Sequence, residues 1–211
     1  MAVSYDNLIF SILSDRDDVS GFHCGEPDLD EFLKEDALCS QSEHLSVTRL
    51  VYYANHYHDF ASKPVWDWRL IQVYFDSSLV GFFTLITDCL ESKKVLPNDG
   101  KKGYPYGKYP ALKIARLAVQ RDYQRKKIGS CILDEVMTIT IRLSDYVGCR
   151  ILTVDVKNNP GSIGFYEKYG FHIATTQRSG NTLPMYIDFH QALISKNWDF
   201  SFIMLVWDCF L

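Results

Sequence analysis

Three consecutive cations, Arg125, Lys126 and Lys127, stand between Gln124 and the apolar pattern IGSCILDEV. Ile128, Ile132, Leu133, Val136 and Met137 recur there at helical spacing, with Asp134 and Glu135 on the other side. Before the cations, KIARLAV (Lys113 to Val119) is a β-like apolar run broken only by Arg116. A basic turn joining a strand to a helix start is suited to holding an anion, because N–H groups and the helix dipole converge on it. The turn is too poor in glycine for a P-loop or a dinucleotide fingerprint, and neither pattern occurs in the chain. Other reactive residue types are less organised. His56 and His58 lack further ligands at close spacing and read as surface histidines, so no metal is expected. Cys24, Cys39, Cys89, Cys131, Cys149 and Cys209 are scattered without a CxxC. They read as reduced cytosolic thiols, not as a disulfide framework or a zinc site. No Ser/His/Asp or Cys/His set stands out.

These residues must be positioned by a chain of 211 residues, a length that fits one domain over 1–211. Hydrophobic content of 47% and charged content of 23% are those of an ordinary globular protein. A net charge of −4 weighs against broad nucleic-acid binding, while leaving room for a local basic face. The N-terminus carries no basic-then-apolar signal, so a cytoplasmic location is expected. FSFIMLVWDCFL (Phe200 to Leu211) is strongly apolar but short and interrupted by Asp208, so no membrane span is expected. It suits a last strand, a docking segment, or a contact with a second copy of the chain in a homodimer.

Along the chain, LIFSILS reads as a first strand. In GEPDLDEFLKEDALCSQSE, Leu29, Phe32, Leu33 and Leu38 share one helical face. VTRLVYYA is a strand, and RLIQVYFDSSLVGFFTLITD reads as a hairpin turning at Asp76, Ser77 and Ser78. Lys93 to Pro110, rich in Pro, Gly, Lys and Tyr, is the longest loop, the kind that is usually functional or mobile. The strand–turn–helix unit follows. CRILTVDV, FHIATTQ and LPMYIDF are further strands, and PGSIGFYEKYG is a short helix ending at Gly170. The pattern predicts an α+β domain with a mixed, largely antiparallel central sheet flanked by helices.

ARLAVQRDYQRKKIGSCILDEV, followed by VDVKNNPGSIGFYEKYGF, resembles the GNAT superfamily of acetyl-CoA-dependent N-acetyltransferases. The resemblance implies an acceptor half over roughly 1–92 and an acetyl-CoA half over 113–190. The apolar C-terminal extension, 191–211, would lie beyond both. The family's phosphate loop, Q/R-x-x-G-x-G/A, falls on Gln124, Arg125, Lys126, Lys127, Ile128 and Gly129, with Lys127 where glycine is preferred. Backbone N–H groups from Arg125 to Ser130 would meet the pyrophosphate of acetyl-CoA, and Gly129 would allow close approach. The pantetheine arm would lie along Leu117, Ala118 and Val119 like an added strand, the Val119 N–H polarising the thioester carbonyl. Tyr166 matches the family's tyrosine that protonates the departing thiolate, which a phenol can do at neutral pH. Packing of a short helix is the alternative role for Tyr166, and is the expected one for Tyr169. Asn159 matches the family's cofactor-contacting asparagine, although Asn158 competes and Asn159–Pro160 also suits a helix start.

The implied reaction moves an acetyl group to a primary amine by direct attack in a ternary complex, the acceptor being a small molecule, peptide or protein. No general base is evident; Asp88 and Glu91, after the FFTLIT strand, are the candidates. FHCGEPDLDEFL near the start resembles a GNAT subset with F-x-C-G-x-x-x-L-D/N-x-F-L, matched by Phe22, Cys24, Gly25, Leu29, Asp30, Phe32 and Leu33. That subset includes toxins acetylating charged tRNA, commonly encoded beside an antitoxin, so tRNA enters as an alternative acceptor. Lys93, Lys94, Lys101, Lys102 and Lys108, interleaved with Tyr104, Tyr106 and Tyr109, would then hold phosphates and stack on bases; a solvated lid is the simpler reading. A third alternative, kept open by Lys127, is a non-catalytic acyl-CoA-binding or interaction domain.

Overall fold

The computed structural model describes residues 3–54, 77–174 and 181–191. Its strands are β1 (Leu8–Ile12), β2 (Val47–Ala54), β3 (Ser77–Glu91), β4 (Lys108–Val119), β5 (Ile151–Lys157), β6 (His172–Ile173) and β7 (Thr182–Asp188). The helices are α1 (Pro27–Glu31), α2 (Ala37–Ser42), α3 (Ile128–Ser144) and α4 (Pro160–Tyr169). The strands form one sheet in the order β1-β2-β3-β4-β5-β7-β6. Antiparallel pairing joins β1 to β2, β2 to β3, β5 to β7 and β6 to β7. This is the α+β, largely antiparallel architecture that the sequence pattern predicts.

Two local expectations fail. Ser77 and Ser78 do not turn a hairpin; they lie in β3, opposite Ala54 and Tyr53 of β2. Residues 69–76, the other half of that expectation, lie outside the described residues. Leu38 is 41% exposed, whereas Ala37 is fully buried. A π-helical turn, Phe32–Asp36, lies between α1 and α2. The wider turn carries the apolar face about one residue later, from near position 36 on a 3.6-residue period from Leu29 to Ala37, and Leu38 lies one position past it.

The chain packs as two compact units. One comprises Met1–Ile86 and Ile114–Leu133, the other Thr87–Lys113 and Asp134–Leu211. In the first unit, Phe22, Leu33, Ala37, Leu50, Phe82 and Ala118 are buried together. Phe22 meets Phe82 edge-on at 5.3 Å, a geometry favoured by the ring quadrupoles. Burying either ring stabilises by roughly 1.5–3 kcal/mol. Ile114–Leu133, expected with the cofactor half, belongs to this unit.

In the second unit, Tyr109, Ile151, Ala174 and Tyr186 share a core. The buried Asp188 carboxylate accepts the Gly100 N–H at 2.7 Å and pairs with Arg150 at 2.9 Å. Burying that charge is tolerable because these donors replace water. The loop after β3 is therefore anchored. Leu96 N–H donates to the Tyr186 hydroxyl, which donates to Asp99, both at 2.7 Å. Gly100 is needed for this path: its φ is +74°, and a Cβ there would sit 2.6 Å from the Tyr109 hydroxyl. Tyr109 is buried and stacks on Tyr104 at 4.2 Å, leaving Tyr106, 68% exposed, as the outward ring. Neither a solvated lid nor a three-tyrosine stacking surface describes the loop. Lys93 and Lys94 pair with Glu91 at 2.8 and 3.3 Å.

Candidate active site

The strand that the sequence places beside the thioester runs into the turn within the first compact unit. Ala118 points into the Phe22–Phe82 core, so alternation puts Leu117 and Val119 on the other face. β3 lies close behind: a Cβ on Gly81 would be 2.9 Å from the Ala118 carbonyl oxygen. The pairing of β2 with β3 shifts at this level, where Val51 faces Gly81 but Tyr52 faces Leu79. Val80, skipped by the ladder, instead accepts the Gln120 N–H at 2.9 Å. Such bulges re-aim backbone groups and recur beside active sites.

After a 3-10 turn, Arg121–Tyr123, comes the basic turn. Arg125 has φ 60° and Lys127 φ 70°, both left-handed. Each costs about 1–2 kcal/mol for an L-residue. Lys127 thus adopts the backbone that favours the glycine it replaces. Among the described residues, no hydrogen-bond partner is found for the N–H groups of Arg125, Lys126 and Lys127. Ile128 and Gly129 open α3, where first-turn amides have no intrahelical acceptor. Ser130 differs from the expectation: its N–H, like that of Cys131, ends on the Lys127 carbonyl, at 3.0 and 3.1 Å. Open amides on three consecutive cationic residues, followed by the buried Ile128, suit a pyrophosphate. Lys126 Nζ rests 4.6 Å over the Tyr123 ring.

The Gln124 side chain is committed to backbone carbonyls. Its Nε2 donates to the carbonyls of Cys24, at 2.8 Å, and Val119, at 3.1 Å. The side chain fastens the turn and does not extend it. The N-terminal motif now has a physical role that spacing alone did not reveal. Asp30, 8% exposed, accepts the Cys24 N–H at 2.8 Å and contacts His23 Nδ1 at 2.7 Å. Burial opposes ionisation of Asp30, but the bonds from Cys24 and His23 outweigh it and hold the carboxyl below its usual pKa. Burial, then the neighbouring Asp30, raise the Cys24 thiol to about 11, so Cys24 is a packed thiol and not a nucleophile. An acidic residue inside an apolar helical face was the available signal for Asp30.

In the second unit, α4 carries the other predicted residues. Asn159 is its N-cap, Oδ1 accepting the Ser162 N–H at 2.8 Å, and Pro160 follows. Asn158 donates its N–H to the Asn181 carbonyl at 3.0 Å. Gly170 ends the helix at φ 107°. Tyr166 is 8% exposed, edge-on to Phe165 at 5.0 Å and Phe171 at 5.3 Å. Burial pushes its phenol well above the ordinary value, so the hydroxyl stays protonated and available as a donor. Tyr169 does more than pack: its hydroxyl donates to Asp134 of α3.

Neither candidate base is free. Asp88 Oδ2 accepts the buried Thr153 hydroxyl at 2.6 Å, and Oδ1 the Cys89 N–H at 2.7 Å. Hydrogen bonds from Lys93 and Lys94 hold Glu91 below its usual pKa, making it a weaker proton acceptor. Among the described residues, no group of three His, Cys, Asp or Glu is placed to hold a metal, and no helix is long and apolar enough to cross a membrane. His56, His58 and the segment Phe200 to Leu211 lie outside the described residues.

The family model of the acetyltransferase (GNAT) domain matches residues 69–173. The chain is 27% identical over 164 residues to a tRNA-acetylating toxin of Mycobacterium tuberculosis, covering 78% of this chain and 84% of that protein. AtaT complexed with acetyl-methionyl-tRNAfMet superposes with a TM-score of 0.69 at 21% identity, over 89% of this chain and 98% of that one. The AtaTR structure bound with AcCoA gives a TM-score of 0.63 at 24% identity, over 90% and 99% of the two chains. These two likenesses establish the shared fold.

Proposed function

Given that this chain belongs to the GNAT acetyltransferases, we propose that it moves the acetyl group of acetyl-CoA onto the α-amino group of an aminoacyl-tRNA. The observation that carries the choice of acceptor is the similarity, along most of the chain, to a tRNA-acetylating toxin. Sequence reasoning alone ranks a small-molecule, peptide or protein amine ahead of tRNA; this relative reverses the order. The same relative, itself a tRNA-acetylating toxin, favours an enzyme over a non-catalytic acyl-CoA-binding domain, and Lys127 adopts the left-handed backbone of the glycine it replaces.

In the proposed reaction, the amides of Arg125 to Gly129 and the flanking cations bind the pyrophosphate. Backbone groups of Leu117 to Val119 hold the pantetheine arm in extended form. The neutral amino group attacks the thioester carbonyl carbon; the C–N bond forms as the C–S bond breaks. The Val119 N–H stabilises the oxyanion, and Tyr166 delivers its proton to the departing sulfur. The amine's proton leaves to water, since Asp88 and Glu91 are engaged elsewhere. Most of the rate gain would come from positioning and oxyanion stabilisation.

The test is incubation with radiolabelled acetyl-CoA and three acceptors in parallel: bulk charged tRNA, the same tRNA deacylated, and a panel of polyamines and peptides. Label should appear on charged tRNA alone and be released by mild alkali, which cleaves the aminoacyl ester. Label on peptides or polyamines with none on charged tRNA would return the acceptor to a simpler amine.

A further inference from the structure

We infer that the segment Phe22–Asp30 is a clasp that sets the shape of the phosphate turn, with Gln120 and Gln124 as the positioning residues through which it acts. This rests on acetyl-CoA binding at that turn, as proposed above. Four bonds tie the N-terminal segments to both ends of the stretch between β4 and α3. His23 N–H donates to Gln120 Oε1 at 2.6 Å, and the Arg121 N–H donates to the His23 carbonyl at 2.9 Å. Gln124 Nε2 donates to the Cys24 carbonyl at 2.8 Å, and Val3 N–H donates to the Lys126 carbonyl at 3.0 Å. All link residues about a hundred or more positions apart. They lie at the edge of the core, with His23, Arg121 and Gln124 exposed and only Cys24 buried.

The clasp is itself locked. The buried Asp30 carboxylate grips the Cys24 N–H and the His23 ring, and Gly25 turns the chain at φ 91° between them. Phe22 anchors the near end in the core. What the clasp holds is strained: Arg125 and Lys127 sit left-handed without glycine. A turn with glycine reaches that geometry unaided; this one needs outside bonds to stay there. The ties end at Gln120 and Arg121, where the stretch begins, and at Gln124 and Lys126, beside the strained residues, which is why the N-terminal motif and the glycine-poor turn belong to one device.

The experiment compares two donors that differ in the phosphates. Gln124→Met and Gln120→Leu each remove one tie at solvent-accessible positions, so folding should survive, as circular dichroism and thermal melting would check. In calorimetry, acetyl-CoA should bind each variant roughly tenfold more weakly, the equivalent of one hydrogen bond's net contribution. The kcat at saturating acetyl-CoA should stay within about twofold. With acetylpantetheine, which lacks the pyrophosphate, kcat/KM should match the unsubstituted chain. Gln120→Glu should restore acetyl-CoA affinity, since a carboxylate also accepts the His23 N–H. Unchanged acetyl-CoA affinity in both variants would overturn the clasp, and so would equal losses with the two donors, which would mark a general structural role. Failure of the unsubstituted chain to bind acetyl-CoA at all would overturn the proposed function together with the clasp.

Discussion

At the start of α4, Asn159 Oδ1 accepts the Ser162 N–H at 2.8 Å, and Pro160 brings no N–H of its own. Most of the donors a helix leaves open at its first turn are thereby used or deleted. The start of α3 is arranged differently. Arg125, Lys126 and Lys127 have no partner for their N–H groups among the described residues, and two of the three sit in left-handed backbone. Capping is cheap in sequence: one Asn or Ser at the right place stabilises by about 1 kcal/mol. A chain that caps one helix and leaves the other open, with left-handed backbone at two of the three cationic residues before it, leaves donors for the proposed anion there. The capped helix has a different duty, holding Tyr166 in place.

The largest effect should come from a change that touches neither helix start. Tyr166→Phe keeps the ring between Phe165 and Phe171 and removes only the hydroxyl. If that hydroxyl protonates the leaving thiolate, turnover should fall by roughly 10²–10⁴-fold while acetyl-CoA affinity stays within about twofold. Because burial raises the phenol's pKa, its proton is retained further into alkali than in a free phenol. Any alkaline decline in turnover near the ordinary phenol value therefore belongs to another group. Tyr169→Phe is the informative control, with a measurable cost of its own. It loses the bond to Asp134, so thermal stability should drop while turnover holds. Turnover near normal in Tyr166→Phe, measured where chemistry limits the rate, would reduce Tyr166 to packing.

A middle-sized effect should separate the two helix starts directly. Asn159→Ala removes the cap of α4 and should cost about 0.5–2 kcal/mol of stability. For a chain of this size that corresponds to a few degrees of melting temperature. Acetyl-CoA affinity should change little if Asn159 only caps. A loss of affinity well beyond the loss of stability would mean that its side-chain amide also touches the cofactor, as the family resemblance implies, and the contrast between a closed and an open helix start would weaken.

What could be read from the sequence was whatever local pattern controls. The β-branched and aromatic residues of VTRLVYYA marked β2 with its observed bounds, and the spacing of Ile128, Ile132, Leu133 and Val136 marked α3 from its first residue. Gly170 marked the end of α4, because only a left-handed residue closes that turn easily. Hidden were the features set by partners far along the chain. Tyr109 looks like a loop aromatic until Gly100 and Tyr104 are seen against it. Gln124 sits in the motif, but its side chain is aimed by a carbonyl a hundred residues earlier. The π-turn before Ala37 leaves no single helical period to follow, and Leu38 falls one position past the buried face. In the proposed site, residue identity points to Tyr166 and the basic turn; which of their atoms have hydrogen-bond partners required the structure.

The smallest effect should come from Lys127→Gly, and its sign is informative. Glycine relieves the strain of φ 70° but widens the unfolded ensemble, and the two contributions are of similar size, each about 1 kcal/mol. Melting temperature should therefore hardly move. Acetyl-CoA affinity should fall about two- to fivefold at low salt, since an exposed cation beside a pyrophosphate contributes modestly. The difference should shrink in roughly 0.5 M salt, where charge is screened within a few ångströms. Lys127→Ala makes the comparison complete, because it loses the same charge and keeps the strain. If both variants bind alike, the lysine acts through its charge and the clasp alone maintains the turn. Tighter binding by the glycine variant than by the unsubstituted chain would show that strain at residue 127 limits how well the turn closes on phosphate, and that the open helix start is imperfectly prepared for its ligand.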